Sequence, residues 1–246
     1  MTGWPQEYGR IILSEVGSTL DEAGRLAEDH AAPFWLLAHR QTAARGRRGR
    51  VWSMPDGNFA ATLVLRVDET PARQALRSFV MSLALLRALG EATGQGDLFS
   101  LKWPNDVLLG GGKVAGILLE SGGPSGVLAI GVGVNLARAP APEEVEDDAL
   151  RPVSVFEETR ARITPEAFLQ VLARHYAALE RQFQDFGFAP IRSGWLSHAA
   201  RFGKPITARL AREEITGTFE DVDPDGQLVL RGARGIVTIA AADVYF

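Results

Sequence analysis

The chain has 246 residues, 46% hydrophobic and 23% charged, the profile of a soluble globule that can bury a core, and this excludes a predominantly disordered chain. Lys and Arg number 26 against 30 Asp and Glu, and a net charge of −4 argues against a generally basic nucleic-acid binder. The lack of cysteine rules out disulfides, thiolate metal sites and a cysteine nucleophile, and fits a reducing, cytoplasmic setting. No apolar run approaches the roughly 20 residues that span a bilayer. The N-terminus, MTGWPQEYGR, lacks the apolar stretch of a secretory signal.

In chain order, residues 10–14 (RIILS) read as a short strand. Ser18 or Thr19 is placed to cap a helix reaching about His30, with Asp21 and Glu22 in its first turn. Residues 34–39 read as a strand, and 59–67 as another after the turn signal Pro55-Asp56-Gly57-Asn58. From Pro71 to about Thr93, apolar residues recur at three and four, which predicts one long helix ended by Gly94. Three short strands are expected at 100–103, 106–109 and 113–120, the last two joined by a Gly110-Gly111-Gly112 hairpin turn. A central strand is expected at 127–136, a long helix at 165–186 and a third helix at 190 to about 200. From Gly203 onward, glycines and the Asp223-Pro224-Asp225-Gly226 turn separate short β-branched runs, the pattern of a small antiparallel barrel of about five strands. The expected fold is α/β (α+β), with a mixed, largely antiparallel sheet flanked by helices in residues 1–200 and a small β domain in 201–246.

The net charge conceals two clusters. Residues 40–50, RQTAARGRRGR, hold five arginines and no acid, and 143–148, EEVEDD, hold five acids. Arginines this dense are kept together when they are solvated or when an anion meets them. The acidic run reads as a solvated loop. The RGRRGR segment is either a mobile anion-gripping loop or a solvated basic one; its spacing is not that of a P-loop. In Lys102-Trp103-Pro104-Asn105-Asp106, Pro104 forbids a regular central strand. The segment is a bend, or it sets a lysine and two oxygen-bearing side chains to meet a metal–nucleotide complex. Lys113 stands at the mouth of an apolar strand that contains Gly116, a hairpin with a surface lysine or a close-approach site. Gly131 and Gly133 alternate on one strand face and leave a groove that a helix or something else fills. The four histidines show no metal spacing, and no G-x-S-x-G elbow occurs.

Taken in order, Ser18-Thr19, Gln41 with the following RGRRGR loop and Trp52, KWPND, Lys113-x-Ala-Gly-Ile-Leu and Gly131-x-Gly-x-Asn135 resemble the biotin–protein ligase family. The likeness runs from about residue 10 to 136, and the C-terminal segment looks like that family's SH3-like domain. The resemblance implies a two-step ligase that converts biotin and ATP, with Mg2+, to biotinyl-5′-adenylate and passes the acyl group to a lysine of a biotin carboxyl carrier domain of acetyl-CoA carboxylase or a related carboxylase. It implies that Ser18, Thr19, Gln41, Arg45, Gly116 and Ile117 bind biotin. Arg47, Arg48, Arg50, Trp52, Lys102, Asn105, Lys113 and Asn135 would bind ATP and the adenylate, with Trp52 by the adenine. Lys113, Arg47 and Arg50 would be catalytic, and Asn105 and Asp106 would meet the magnesium.

Such chemistry needs no enzyme nucleophile, since the substrate carboxylate attacks the phosphate itself; aligned cations and a shielding loop suffice. Two positions depart from the family pattern: Leu20 replaces an asparagine, and Ala44 replaces a glycine and would be strained if φ there were positive. The first strand at about Arg10 leaves no room in this sequence for the winged helix-turn-helix of repressor-type members, so no DNA binding is expected. Neither is a membrane, and the assembly is a monomer or homodimer. Other readings are a lipoate-type acyl ligase, a non-catalytic biotin-binding regulator, or a nucleic-acid-binding regulator using RGRRGR; the RGRRGR–KWPND combination favours biotin.

Overall fold

A computed structural model describes residues 3–30, 33–122, 126–145, 150–210 and 213–246. The larger sheet is built from β1 (Gly9–Val16), β2 (Phe34–Gln41), β3 (Phe59–Arg66), β4 (Phe99–Lys102), β5 (Asp106–Leu109), β6 (Gly112–Ser121) and β7 (Val127–Val134). Its order is β1-β2-β3-β7-β6-β5-β4; only β1 and β2 run parallel. The mixed, largely antiparallel sheet is therefore as expected.

Strand alternation sends each strand's residues to two cores. Trp35, Leu37, Phe59, Ala61 and Leu63 join the main core with the helices, while Phe34, Leu36 and Val64 join a smaller one. That smaller core is closed by Ala23 and Ala27 at helix α1 (Thr19–Leu26) and its C-cap. On the main side lie α2 (Pro71–Ala75), α3 (Arg77–Thr93), α5 (Pro165–Phe186) and α6 (Phe188–Leu196), with a short α4 (Val155–Thr159) between. Thr70 and Thr164 accept hydrogen bonds from Arg73 N and Ala167 N, so both proline-started helices are also capped.

Several boundaries differ from the sequence reading. The single helix of 71–93 is two, broken at Leu76. Helix α1 stops at Leu26 rather than near His30; extending it would set Glu28 and Asp29 at the negative end of the helix dipole. Strand β4 stops at Lys102, and β7 at Val134. Helix α4, capped by Ser154 over only five residues, had no legible period. The Gly94 terminus is as expected, at φ 69°.

The C-terminal strands are β8 (Pro205–Arg209), β9 (Glu214–Val222), β10 (Leu228–Gly232), β11 (Gly235–Ile239) and β12 (Asp243–Tyr245). The five form an antiparallel sheet in the order β11-β10-β9-β8-β12, and no ladder joins β11 to β12 among the described residues, so the expected barrel is an open ladder here. Trp195 of α6 meets Phe219 edge-on, and the Trp103 indole donates to Gly226 O at 3.0 Å, so this sheet packs onto the larger unit.

A buried ion cluster fastens α3 to α5. Arg77, 1% exposed, donates to Glu180 at 2.8 Å, pairs with Glu69, and shares Glu180 with the Tyr176 hydroxyl at 2.9 Å. Removing one partner of a buried pair leaves a charge without compensation. Glu180→Ala is expected to lower the unfolding free energy by about 3 kcal/mol in urea titration.

Candidate active site

The site is assembled on bare backbone. Gly116 of β6 lies opposite Gly133 of β7 in the ladder. A Cβ at Gly133 would fall 2.6 Å from Trp52 Cε2, and one at Gly116 3.2 Å from Trp52 Cζ3. The Trp52 indole therefore rests where two strand side chains would stand. A Cβ at Gly131 would fall 2.9 Å from Leu20, so the first of the alternate glycines receives a helix residue and the second a loop aromatic. Along β7 the start of α1 thus stands over Gly131, Trp52 over Gly133, and Asn135 beyond. A cavity of about 650 Å³ opens over this floor.

At the Gly131 end, Ser18 and Thr19 are buried. Gln41 Oε1 accepts from Thr19 N at 2.7 Å and from Thr19 Oγ1 at 3.0 Å. Ser18 occupies the N-cap position of α1, but its side chain makes no capping bond; Gln41, from the next strand, satisfies the first helical N–H instead. This makes a hydrogen-bonded polar end to the cavity.

Past Trp52 lies a buried charge cluster. Lys113 Nζ is 2.7 Å from Asp106 Oδ1, off the line of a good hydrogen bond, and Lys102 Nζ is 3.6 Å from Oδ2. Burial alone would raise the Asp106 carboxyl, but the ammonium groups of Lys113 and Lys102 outweigh it and hold the acid below its ordinary range. Burial lowers Lys102, against the pull of Asp106. A bulge between Val107 and Leu108 in the β5–β6 pairing and the approach of the 151–153 backbone set the position of Lys113. Gly112 admits that approach, since a Cβ there would meet Val153 Cγ1 at 2.4 Å and Arg151 O at 2.9 Å. Asn105 is a staple between the KWPND turn and β6: its side-chain amide donates to Ile117 O, and its carbonyl accepts from Ile117 N at 3.0 Å. With Asp106 already between two ammonium groups, and no group of three acidic or histidine side chains suited to a metal among the described residues, these residues do not fit a resident metal ion.

The arginine-rich segment is met by anions, and they belong to the chain itself. Arg40 pairs with Glu15 at 2.8 Å, and Arg45 with Asp21 at 2.6 Å and Glu120 at 2.9 Å. The one carboxylate of Asp243 in β12 faces three arginines, Arg47, Arg48 and Arg50, at 3.7, 2.7 and 2.8 Å. The bond to Asp21 leads those that raise Arg45 above an ordinary arginine, while burial lowers Arg47. Arg47, Arg50 and Asp243 line the cavity; Arg48, whose backbone is left-handed at φ 58°, does not. Ala44 is not among the positive-φ residues, so the glycine-to-alanine departure carries no strain.

Every other expected site residue lines the cavity: Ser18, Thr19, Gln41 and Arg45; Trp52, Lys102, Asn105 and Asp106; Lys113, Gly116, Ile117 and Asn135. The sequence reading missed Asp243, Asp21, Glu120 and Asn58. Each is joined to the site across more than 20 positions of chain, and no local pattern marks them. The described part of the acidic run is solvent-exposed as expected: Glu143 and Glu144 stand at the rim of the cavity, and Glu144 accepts from Ser53 Oγ at 3.1 Å. Glu146, Asp147 and Asp148 lie outside the described residues.

Residues 13–136 match the Biotin/lipoate A/B protein ligase family, and residues 202–246 match the Biotin protein ligase C terminal domain. The chain belongs to the biotin protein ligase family. It is 51% identical over 238 residues to a biotin--[acetyl-CoA-carboxylase] ligase of Paracoccus denitrificans, covering 96% of this chain and 99% of that one. It is 31% identical over 230 residues to the bifunctional ligase/repressor BirA of Escherichia coli, covering 89% of this chain and 68% of that one. Among solved structures it superposes on biotin protein ligase from Aquifex aeolicus in complex with biotin and ATP, at a TM-score of 0.84 and 28% identity, covering 96% of this chain and 98% of that one. The expectation of an enzyme of this family is thereby borne out. No described helix is long and apolar enough to cross a membrane.

Proposed function

We propose that the chain activates biotin with ATP to biotinyl-5′-adenylate and transfers the acyl group to one lysine of a biotin carboxyl carrier domain of acetyl-CoA carboxylase or a related carboxylase, with residues 1–200 as the catalytic unit and 201–246 as a small domain that completes the site. The observation that carries this is a single cavity with a hydrogen-bonding end at Ser18, Thr19 and Gln41, a bare glycine floor under Trp52, and cations beyond it. The ureido group of biotin offers donors and acceptors to that polar end, whereas the dithiolane of lipoate offers none, which favours biotin over the lipoate reading.

In the first step a biotin carboxylate oxygen attacks the α-phosphorus, and pyrophosphate leaves with the broken P–O bond. Lys113 and Lys102, oriented by Asp106, lie against the negative charge that gathers on the phosphate oxygens, and Arg47 and Arg50 neutralise it from the loop side. Mg2+ enters as part of the nucleotide substrate. In the second step the carrier lysine attacks the acyl carbonyl, loses a proton, and AMP departs. The Arg45–Arg50 segment and Trp52 keep water from the adenylate until then. Arg45, held by Asp21 and Glu120, fixes that segment to α1 and β6.

Incubation with biotin, MgATP and an isolated carrier domain is expected to add one biotinyl group to one carrier lysine, read by intact mass and peptide mapping. A carrier left unmodified beside an active reference ligase rejects the acceptor assignment.

A further inference from the structure

Part of the cavity wall lies outside the sheet. Asn135, Pro140, Glu144, Leu150 and Pro152 supply it from the connection between β7 and α4. One side chain outside that connection is spent wholly on it. Asn58, 1% exposed, closes the Pro55–Asn58 turn ahead of β3. Its amide oxygen accepts from Ala137 N at 2.9 Å and Arg138 N at 3.2 Å. Its amide nitrogen donates to Arg138 O at 2.8 Å and approaches Asn135 Oδ1 at 3.5 Å. Both acceptor positions and both donor hydrogens are thus directed at residues 135–138.

Asn135, 2% exposed, is fixed in turn: its Nδ2 donates to Val153 O at 3.1 Å and its backbone N–H to Val114 O at 2.8 Å. Flipping the Asn135 amide would set its oxygen against Val153 O and its NH2 against the NH2 of Asn58, so Asn58 helps to hold the orientation it presents. Gly57 adds an independent contact: at φ 84°, a Cβ there would fall 2.9 Å from Ala137 Cβ, so turn and wall are in close steric register.

We propose that Asn58 is a positioning residue for the nucleotide half of the site, acting through Asn135 and residues 137–138 without touching substrate. This rests on the reading that the end of the cavity beyond Trp52 takes ATP. Asn58→Asp keeps the size and both acceptor bonds but turns an oxygen on Arg138 O and Asn135 Oδ1 in place of the donor. The steady-state KM for ATP is expected to rise about tenfold or more, with kcat at saturating ATP within about threefold and the Kd for biotin within about twofold of wild type. Leu172→Ala, buried in α5 and away from the cavity, is the control for lost stability: it is expected to lower Tm while leaving the ATP KM within about twofold. An ATP KM in Asn58→Asp that tracks the control, or that moves together with biotin affinity, overturns the proposal. A wild-type protein with no biotin-dependent exchange overturns the functional reading and this proposal together, a result distinct from an active wild type with an indifferent variant.

Discussion

Lys113→Ala is expected to lower biotin-dependent ATP–pyrophosphate exchange by more than about 100-fold, with some loss of Tm because the buried Asp106 keeps Lys102 alone of the two ammonium groups. The ammonium is the cation of the Asp106 cluster nearest the bare floor; it lies 5.6 Å from the Trp52 ring centroid and is paired to a carboxylate that burial has not neutralised. Its value therefore lies in charge stabilisation as the phosphate oxygens become more negative, and about 100-fold corresponds to about 3 kcal/mol of that stabilisation. Because the side chain is 31% exposed, its loss leaves no large void. The Kd for biotin, whose polar end is held at Ser18, Thr19 and Gln41, should stay within about threefold. Single-turnover formation of the adenylate measures the effect, and a near-normal rate removes Lys113 from the chemistry.

Asp106→Ala is expected to be costly in a different way, lowering folding stability at neutral pH by about 3–5 kcal/mol as well as abolishing exchange. Lys102, 9% exposed, loses its counter-charge and stays buried beside Lys113. Burial already lowers Lys102, and without Asp106 it falls further. A lysine with a depressed folded pKa binds fewer protons folded than unfolded, so stability rises as pH increases. The deficit of the variant should therefore shrink between neutral pH and about pH 10, near the unfolded lysine pKa. Urea titrations at several pH values check this, and a pH-independent deficit would show that Asp106 matters through packing rather than charge.

What was legible in the sequence follows from range. Strands β2, β3 and β5 and helix α5 could be located because period and turn residues are local, and α5 begins at Pro165 and ends before Gly187 as its capping residues require. The break at Leu76 was not legible, because no glycine or proline marks it. The ordered motifs brought the site residues together because each projects from a strand end or turn of one sheet. The partners that fix them were hidden by distance: Asp243 reaches Arg48 across 195 positions, and Asn58 reads locally as nothing more than a turn former. The arginine cluster was sound as a sign that an anion is needed, yet the anions that hold it belong to the chain itself, Asp243 foremost among them.

The central claim is that this cavity joins biotin to AMP. The most direct measurement is exchange of labelled pyrophosphate into ATP, run with biotin, with lipoate and with neither acid. Exchange that depends on biotin and stays at background with lipoate is expected. Exchange driven by lipoate, or none with biotin, would contradict the claim.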